Sequence, residues 1–343
     1  MTSPFLPGTK VQFAWDSTSL GWLKTCPRLY QYSMIDQWVM KGERLHLKYG
    51  QLYHGALEFY DRTRVQNFNH EEALIDTVQK VLVDTWESPR SAEDPAEMIA
   101  NNGRPWKTDH PQKNRETLIR SVIWYLDQFG DKDPAQTVVL QSGKPAVELT
   151  FKMELDWGPK SYYSVDDISL APGALNFSTG TKVPNTQPYI LCGHLDRVVT
   201  YAGGTYVMDR KTTGSTISSN YFDGFTPDNQ MSLYSMASKV IYKTPVQGII
   251  IDAAQIAVGF TRLQRGFAYR TDAQIDEWLE NTKHWLNLAE FFAKEDFWPM
   301  NDKSCHQYGG CPFRRVCSKD PNVRKNFLET DFERREWNPL IPR

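Results

Sequence analysis

The sequence predicts one α/β domain in which a central mixed β-sheet is flanked by helices. Three observations support this fold class. Helical periodicity dominates residues 43–135, strand patterns rich in β-branched residues dominate residues 136–270, and one amphipathic helix interrupts the strands. The 343 residues are 40% hydrophobic and 13% aromatic, which is enough for a sizeable core and argues against disorder.

Helical segments lie before, among and after the predicted strands. Asp16 and Ser17 are capping residues at the start of an aromatic-rich helical pattern that Pro27 interrupts. Further helices are predicted before the strands in KYGQLYHGALEFYDRTRVQ, EEALIDTVQKVLVDTW and ETLIRSVIWYLDQFG. DNQMSLYSMASKVIY predicts the helix among the strands, and DAQIDEWLENTKHWLNLAEFFAKE predicts a long helix after them.

The strands are predicted from β-branched and alternating residues, in the order TVVLQS, AVELTFKMEL, YILCGHLDRVVT, TYVMDRKTT, VQGIIIDAAQIAVGF and RGFAYR. The third and fourth of these are separated only by Ala202, Gly203 and Gly204. Because Gly-Gly is favoured in tight turns, we expect the two strands to form a hairpin.

The predicted hairpin places charged side chains on one face of the sheet. A two-residue turn at Gly203-Gly204 sets Asp196 opposite Lys211, whereas a four-residue turn from Tyr201 to Gly204 sets Asp196 opposite Asp209. In both registers the two aspartates and the lysine share a face, because cross-strand partners and alternate residues do so. A three-residue turn would separate them.

Two carboxylates and one ammonium group on a sheet face are costly to bury without a counter-charge. A hard divalent cation between the carboxylates removes their repulsion. The lysine can then orient an attacking water or stabilise the charge that develops on a phosphate. The alternative is a solvated Asp–Lys pair on an exposed hairpin.

Charge and cysteine content set further limits. A net charge of −2, from 39 basic and 41 acidic residues, neither indicates nor excludes a nucleic-acid ligand. No apolar run approaches the length of a membrane span, and the first ten residues contain no apolar signal core, so we expect a soluble cytoplasmic protein. The five cysteines argue against a disulfide framework, and three of them lie within thirteen residues, which points to metal or cluster ligation.

The hairpin residues carry a family resemblance. GHLDRVV…YVMDRKTTG resembles the core motif of the PD-(D/E)XK nuclease superfamily, specifically its RecB/AddB-like branch. DSTSLGWLKTCPRLYQY, YGQLYHGALE, QMSLY and CHQYGGCPFRRVC are similar to that branch's N-terminal cysteine segment, G-x-x-x-H helix, Q-x-x-x-Y helix and C-terminal iron–sulfur segment. The five elements occur in the family's order from Ser17 to Cys317.

The resemblance implies a fold and a division of the chain. The fold is a restriction-endonuclease-like core with an N-terminal helical region and a C-terminal cysteine-cluster segment. Residues 1–343 would form a single nuclease domain: residues 43–135 carry the first motif, residues 136–270 form the sheet core with the active site, and residues 300–317 form a metal-cluster segment joined to Cys26.

The resemblance also implies a metal site. His54, Asp196, Asp209 and the backbone carbonyl of Arg210 match the family's ligands for Mg²⁺ or Mn²⁺. This set of nitrogen and oxygen donors suits those ions, with water in the remaining positions. Asp196 and Asp209 thus have both a metal-binding and a catalytic role.

Four further residues are candidates on the same grounds. Lys211 matches the catalytic lysine. Gln230 and Tyr234, one helical turn apart, match residues that hold the water, the lysine or the substrate strand. Glu148 resembles a glutamate on the preceding strand of the family, with support of the fold as its alternative role.

Cys26, Cys305, Cys311 and Cys317 match the thiolates that hold a [4Fe–4S] cluster in this branch. The last three are spaced C-x5-C-x5-C, whereas the family spacing is C-x2-C-x5-C, so the match is weakest at Cys305. A four-thiolate Zn²⁺ site is the alternative, and His306 could then replace one thiolate.

These matches predict a hydrolase: a Mg²⁺- or Mn²⁺-dependent deoxyribonuclease, acting as an exonuclease on single strands or DNA ends in recombination, repair or phage DNA processing. The context implied is bacterial or phage-like. No G-x-x-x-x-G-K-[ST] motif is present, so unwinding would come from a helicase or recombination partner. The alternative functions are a non-catalytic DNA-end-binding module and a structural or regulatory iron–sulfur subunit of a larger complex.

Overall fold

A computed structural model of the chain describes residues 3–42, 44–87, 103–159, 162–163, 183–184, 187–241 and 245–341. Part of the predicted helical segment, residues 88–102, lies outside these ranges. In chain order the strands are β1 (Ala14–Trp15), β2 (Trp38–Met40), β3 (Trp86–Glu87), β4 (Arg104–Pro105), β5 (Gln136–Thr137), β6 (Val147–Glu154), β7 (Tyr162–Tyr163), β8 (Val183–Pro184), β9 (Ile190–Tyr201), β10 (Gly204–Thr213), β11 (Val246–Ile256), β12 (Thr261–Ala268) and β13 (Phe332–Arg334).

The helices match most of the predicted helical patterns. They are α1 (Ser17–Thr25), α2 (Pro27–Tyr30), α3 (Leu45–Val65), α4 (His70–Asp84), α5 (Arg115–Phe129), α6 (Ser219–Asp223), α7 (Asn229–Ile241), α8 (Asp272–Glu295), α9 (Arg314–Cys317) and α10 (Arg324–Asp331). No helix within the described ranges is both long enough and apolar enough to cross a membrane.

A mixed seven-stranded sheet forms the centre of the fold. The strand order is β1-β9-β10-β11-β12, and β5 and β6 also pair with β9. The β1/β9 and β10/β11 pairs are parallel, whereas β9/β10 and β11/β12 are antiparallel. The predicted fold class, a central mixed sheet flanked by helices, is therefore confirmed.

The chain divides into two compact units. The first unit consists of Met1–Gly42, Thr150–Gly193 and Thr271–Arg343, and the second consists of Glu43–Leu149 and His194–Arg270. The first unit contains the four candidate cluster cysteines, and the second contains every candidate residue of the metal and catalytic site. The predicted division into helical, sheet and cluster segments stays a prediction.

The turn of the β9–β10 hairpin differs from the first of the two predicted registers. The strands pair from Tyr201–Gly204 to Arg197–Met208, so the tight turn is Ala202-Gly203 and not Gly203-Gly204. Both turn residues have positive φ, 47° and 80°, as a two-residue hairpin turn of the I′ type requires. This register equals that of the predicted four-residue alternative, and its continuation by one residue sets Asp196 opposite Asp209.

The predicted strand TVVLQS is largely absent. Only Gln136–Thr137 pairs with β9. Beyond it the chain reverses at Gly143, where φ is 77° and the Leu140 amide donates to the Lys144 carbonyl. The β-branched residues predicted a longer strand, but the Ser-Gly turn ends it.

Helix α3 forms the core of the second unit. Tyr49, Tyr53, Ala56, Leu57 and Tyr60 recur at helical spacing and are buried. They belong to one apolar cluster with residues of α5 and β11, including Leu118, Val122, Tyr125, Ala254 and Ile256. This packing determines where the polar residues on the neighbouring face of α3 lie.

Candidate active site

Asp209 and Lys211 lie two residues apart on β10 and therefore point to the same side of the sheet. The Lys211 Nζ lies 2.8 Å from Asp209 Oδ2 and donates a hydrogen bond of 2.9 Å to Gln230 Oε1. The Gln230 Nε2 in turn donates to the Tyr234 hydroxyl at 2.8 Å. Four residues predicted from separate motifs thus form one connected chain of contacts between β10 and α7.

Asp196 receives contacts from two directions. Its Oδ2 lies 3.4 Å from His54 Nδ1 and accepts a 3.0 Å hydrogen bond from the backbone N–H of Arg210. The β9–β10 pairing is recorded up to Arg197–Met208, so this carboxylate binds an amide just beyond the paired segment. The N–H and C=O of one residue leave the same edge of a strand, so the Arg210 carbonyl also lies on the β9 side.

Glu148 joins this group. One ligand atom from each of His54, Glu148 and Asp196 lies within 4.8 Å of the other two, and all three residues are half-buried. Glu148 has a backbone φ of +49°, a left-handed conformation that is uncommon for a residue with a side chain. Asp209, a predicted ligand, is not a member of this three-residue group.

The Asp209 carboxylate is held in an unfavourable environment. Its side chain is 1% exposed, and apart from the Lys211 contact neither oxygen has a hydrogen-bond donor among the described residues. Burial raises its pKa to about 6, and the Asp196 carboxylate adds to this rise while Lys211 and His54 oppose it. Burial lowers the pKa of Lys211, but Asp209 and Asp196 outweigh it, so the net shift is upward and the amine stays protonated.

These residues fit a divalent cation. Buried carboxylate oxygens without donors are costly unless a positive charge lies beside them. The Asp209 oxygens and the His54–Glu148–Asp196 group supply the carboxylate and imidazole donors that Mg²⁺ and Mn²⁺ accept.

A second set of charged residues lies on the other face of the strands that carry Asp196 and Asp209, and it was not predicted. Arg197 and Arg210 directly follow Asp196 and Asp209 in the sequence, and both are buried. Both guanidinium groups contact Asp61, which lies on α3 seven residues after His54. The repeated Asp-Arg pair and the two-turn spacing on α3 were the sequence signals for this set.

The four predicted cluster cysteines lie in the first unit. Cys26 is buried and its Sγ accepts a hydrogen bond of 3.3 Å from the Asn301 amide. The Cys311 amide donates to the Cys305 carbonyl at 3.0 Å. Burial raises the pKa of Cys317 to about 11, to which Cys311 and Cys26 also contribute, so these thiols are close enough to interact electrostatically.

The surroundings of the thiols are apolar. Cys311 and Cys317 pack against a cluster that includes Phe313, Val316 and Phe332. Within the described part of the chain, no three of the four sulfurs lie within 4.8 Å of one another. Burial outweighs Arg28 and Arg324, which lower the pKa of Cys317 in part. A set of four thiols fits a metal or an iron–sulfur cluster, which binds them as thiolates.

A mixed sheet thus brings together an imidazole, three acidic side chains and a lysine, a set of residues that is typical of metal-dependent hydrolases. The family model of the PD-(D/E)XK nuclease superfamily matches residues 17–318, which is most of the chain, and the protein belongs to this superfamily. Membership implies a nuclease hydrolase that uses divalent metal ions and binds DNA.

Two other comparisons add nothing to this assignment. No curated protein matches the sequence. The chain is similar to a solved structure titled "Crystal structure of SSO0001", with 11% identity over 79% of this chain and 76% of that chain, but the TM-score is only 0.28. That likeness supports no statement about the site.

Proposed function

We propose that the protein is a Mg²⁺- or Mn²⁺-dependent deoxyribonuclease of the RecB/AddB-like branch. It would act in the cytoplasm as an exonuclease on single strands or DNA ends, in recombination, repair or phage DNA processing. One observation carries the proposal: His54, Glu148 and Asp196 converge on one point beside the buried Asp209–Lys211 pair.

The proposed metal ligands include the three residues of this group. His54, Glu148, Asp196 and Asp209, with the Arg210 carbonyl, would hold the ion. These residues would place the ion where it could polarise the phosphate and lower the pKa of a water molecule. Glu148 is included among the ligands, because its carboxylate lies within 4.8 Å of the ligand atoms of His54 and Asp196.

Lys211 acts as a hydrogen-bond donor in this proposal. Its raised pKa keeps the amine protonated, so it is unsuited to removing a proton from water. The ammonium group has three N–H donors. Asp209 and Gln230 each contact one of them, which leaves the third for the attacking water or a phosphate oxygen. Tyr234 orients the Gln230 amide so that its oxygen faces Lys211.

The test is cleavage of 5′- and 3′-end-labelled single- and double-stranded DNA, with matched RNA, in Mg²⁺, Mn²⁺ or EDTA. We expect metal-dependent loss of the terminal label and no cleavage by Asp196→Ala or Lys211→Ala. Binding of DNA ends without cleavage under every metal condition would instead favour a non-catalytic end-binding subunit. Cleavage that continues in EDTA would contradict the metal site.

We further propose that Cys26, Cys305, Cys311 and Cys317 hold a [4Fe–4S] cluster. A tetrahedral zinc site, with bonds of about 2.3 Å, would bring sulfurs to about 3.8 Å from one another. A [4Fe–4S] cluster instead takes four thiolates that lie farther apart, one on each iron. Cys311 and Cys317 are half-buried against an apolar cluster, which limits the access of water to two of the ligands.

Anaerobic purification tests the cluster. We expect about four iron atoms per chain and a broad visible absorption band, both lost in Cys317→Ala and both retained in Cys192→Ala, since Cys192 is a buried thiol outside the set. One zinc and no iron would overturn the proposal. An associated helicase or recombination protein would be sought by pull-down with DNA ends.

A further inference from the structure

We propose that Asp61 is a positioning residue for the metal site. Its buried carboxylate fastens α3 to both strands of the β9–β10 hairpin, directly beside Asp196 and Asp209, and thereby holds His54 against Asp196. This inference rests on the proposed metal-dependent function, but it concerns a residue that contacts neither the metal nor the substrate.

Helix geometry puts His54 and Asp61 on one face of α3. Their separation of seven positions spans about two turns and about 10 Å along the axis. The His54 Nδ1 lies 3.4 Å from Asp196 Oδ2. The position of His54 relative to Asp196 therefore depends on how α3 lies on the hairpin, and Asp61 is the next charged contact on the same face.

Asp61 reaches both strands. Its Oδ2 accepts a 2.7 Å hydrogen bond from Arg210 Nη2 and lies 3.6 Å from Arg197 Nε. Arg197 follows Asp196 on β9, and Arg210 follows Asp209 on β10. A single carboxylate thus ties the helix to the residue next to each catalytic aspartate.

The contacts close into a ring. The Arg210 side chain binds Asp61, and the Arg210 backbone N–H binds the Asp196 carboxylate. Asp196 contacts His54, and α3 connects His54 back to Asp61. A shift of α3 would therefore break either the Asp61–Arg210 contact or the His54–Asp196 contact.

The burial of these groups favours a positioning role over a contribution to stability. Asp61, Arg197 and Arg210 are 6%, 6% and 3% exposed. A buried ion pair often adds little net stability, because desolvation offsets the attraction, but it penalises every arrangement in which its members separate. The contacts of Asp61 therefore select one placement of α3.

The same network contains a matched control. Asp133, 5% exposed, bridges Arg197 and Arg265, with Asp133–Arg contacts of 3.2 and 2.5 Å. Asp133 precedes β5, and among the described residues none of its hydrogen bonds or ion pairs is with α3. Its removal takes one buried carboxylate from Arg197, as removal of Asp61 does, but Arg197 keeps its contact with Asp61 and Arg265 keeps its contact with Asp252. The tie to α3 therefore stays in place.

A cavity of about 450 Å³ gives access to the network. Asp61, Asp133 and Arg197 line it, together with Tyr60, Arg64 and Gln136. A small carboxylate such as formate can therefore enter and replace the side chain removed in Asp61→Ala.

The experiment measures Mn²⁺ affinity of the full-length protein by electron paramagnetic resonance, without DNA. We expect Asp61→Asn to weaken Mn²⁺ binding about tenfold or more, the usual effect of removing a residue that holds metal ligands in place, and Asp133→Asn to weaken it less than about threefold. Thermal unfolding of both variants measures their stability losses, which we expect to be comparable. Equal Mn²⁺ affinity in Asp61→Asn and the wild type, or equal losses in both variants, would overturn the inference.

Two further variants test the inference if Asp61→Asn does not fold. Asp61→Ala is titrated with Mn²⁺ in formate and in chloride of equal concentration, and we expect formate alone to restore affinity. Asp61→Glu, which keeps the charge but is longer, should bind Mn²⁺ with intermediate affinity. Formate that restores nothing, together with wild-type affinity in Asp61→Glu, would count against positioning. Failure of the wild type itself to bind Mn²⁺ at an Asp196-dependent site would overturn the proposed function instead.

Discussion

The Lys211 ammonium lies 2.8 Å from the Asp209 carboxylate, on the same face of β10. The contact compensates only part of the cost of burying Asp209, whose pKa remains raised to about 6. A second cation beside the Asp209 carboxylate would therefore be favourable. Substitutions of Asp209 and of Lys211 should have different effects.

Replacement of Lys211 should separate chemistry from metal binding. Lys211→Met removes the donor but none of the proposed ligands, so we expect kcat to fall by about 10²–10⁴-fold and Mn²⁺ affinity to change less than about tenfold. Steady-state cleavage and Mn²⁺ titration measure the two quantities. Lys325→Met, at a side chain that is 81% exposed, is the control. Parallel losses of cleavage and Mn²⁺ binding would show that Lys211 supports the metal site instead.

The raised pKa of Asp209 predicts a pH-dependent stability in the metal-free protein. Its folded-state pKa lies above the unfolded value, so its contribution is fully present below about pH 4 and is lost as pH rises through about 6. The loss is at most about 3 kcal/mol, since each pKa unit corresponds to about 1.4 kcal/mol. Asp209→Asn should remove it.

Urea unfolding in EDTA at pH 5 and pH 7.5 measures this effect. Relative to Asp209→Asn, the wild type should lose free energy of unfolding between the two pH values. The Asp196→Asn variant serves as a comparison because it removes a carboxylate of the same site that has other contacts. Asp196 lies beside His54 and accepts a hydrogen bond from the Arg210 amide. A wild type and Asp209→Asn with the same pH dependence would refute the prediction.

Gln230 and Tyr234 should act in series. Gln230→Leu removes the acceptor of Lys211, and we expect kcat to fall about tenfold or more with little change in KM. Tyr234→Phe removes only the hydroxyl that holds Gln230, so its effect should be smaller. Because Tyr234 acts through Gln230, the double variant should be no slower than Gln230→Leu. Additive losses would mean that Tyr234 contacts the substrate independently.

Glu148 combines a ligand position with an unfavourable backbone conformation. Glu148→Ala and Glu148→Gly both remove the carboxylate and should weaken Mn²⁺ binding equally. At a φ of +49° only glycine is free of steric cost. The free energy of unfolding of Glu148→Gly should therefore be at least as large as that of Glu148→Ala. At an ordinary strand position glycine would be less stable by about 0.5–1 kcal/mol. A less stable glycine variant would show that the position carries no strain.

The charged face of β10 could be predicted because strand periodicity is local. Alternate residues share a face, so Asp209 and Lys211 lie together in any strand that contains both. The exact turn could not be predicted, since Ala202 adopts positive φ while Gly204 begins β10, where an added Cβ would lie 2.5 Å from Gln247. The need for glycine at position 204 thus comes from Gln247 on the neighbouring strand β11.

The remaining contacts of the site depend on residues far apart in the chain. His54 meets Asp196 across 142 positions, and Asp61 meets Arg210 across 149. No periodicity specifies such distances, because they depend on how the apolar face of α3 packs against α5 and β11. The positive φ of Glu148 likewise could not be predicted, because glutamate rarely adopts it.

The sequence by itself determined the elements, their apolar faces and the residues that share a side of each strand, since these follow from local dihedral preferences and alternation. Only the tertiary structure decided that an imidazole from α3 and a carboxylate from β6 meet Asp196, and that one buried aspartate ties the helix to both strands. The physical reason is that long-range packing, and not local preference, sets the distances over which charges interact.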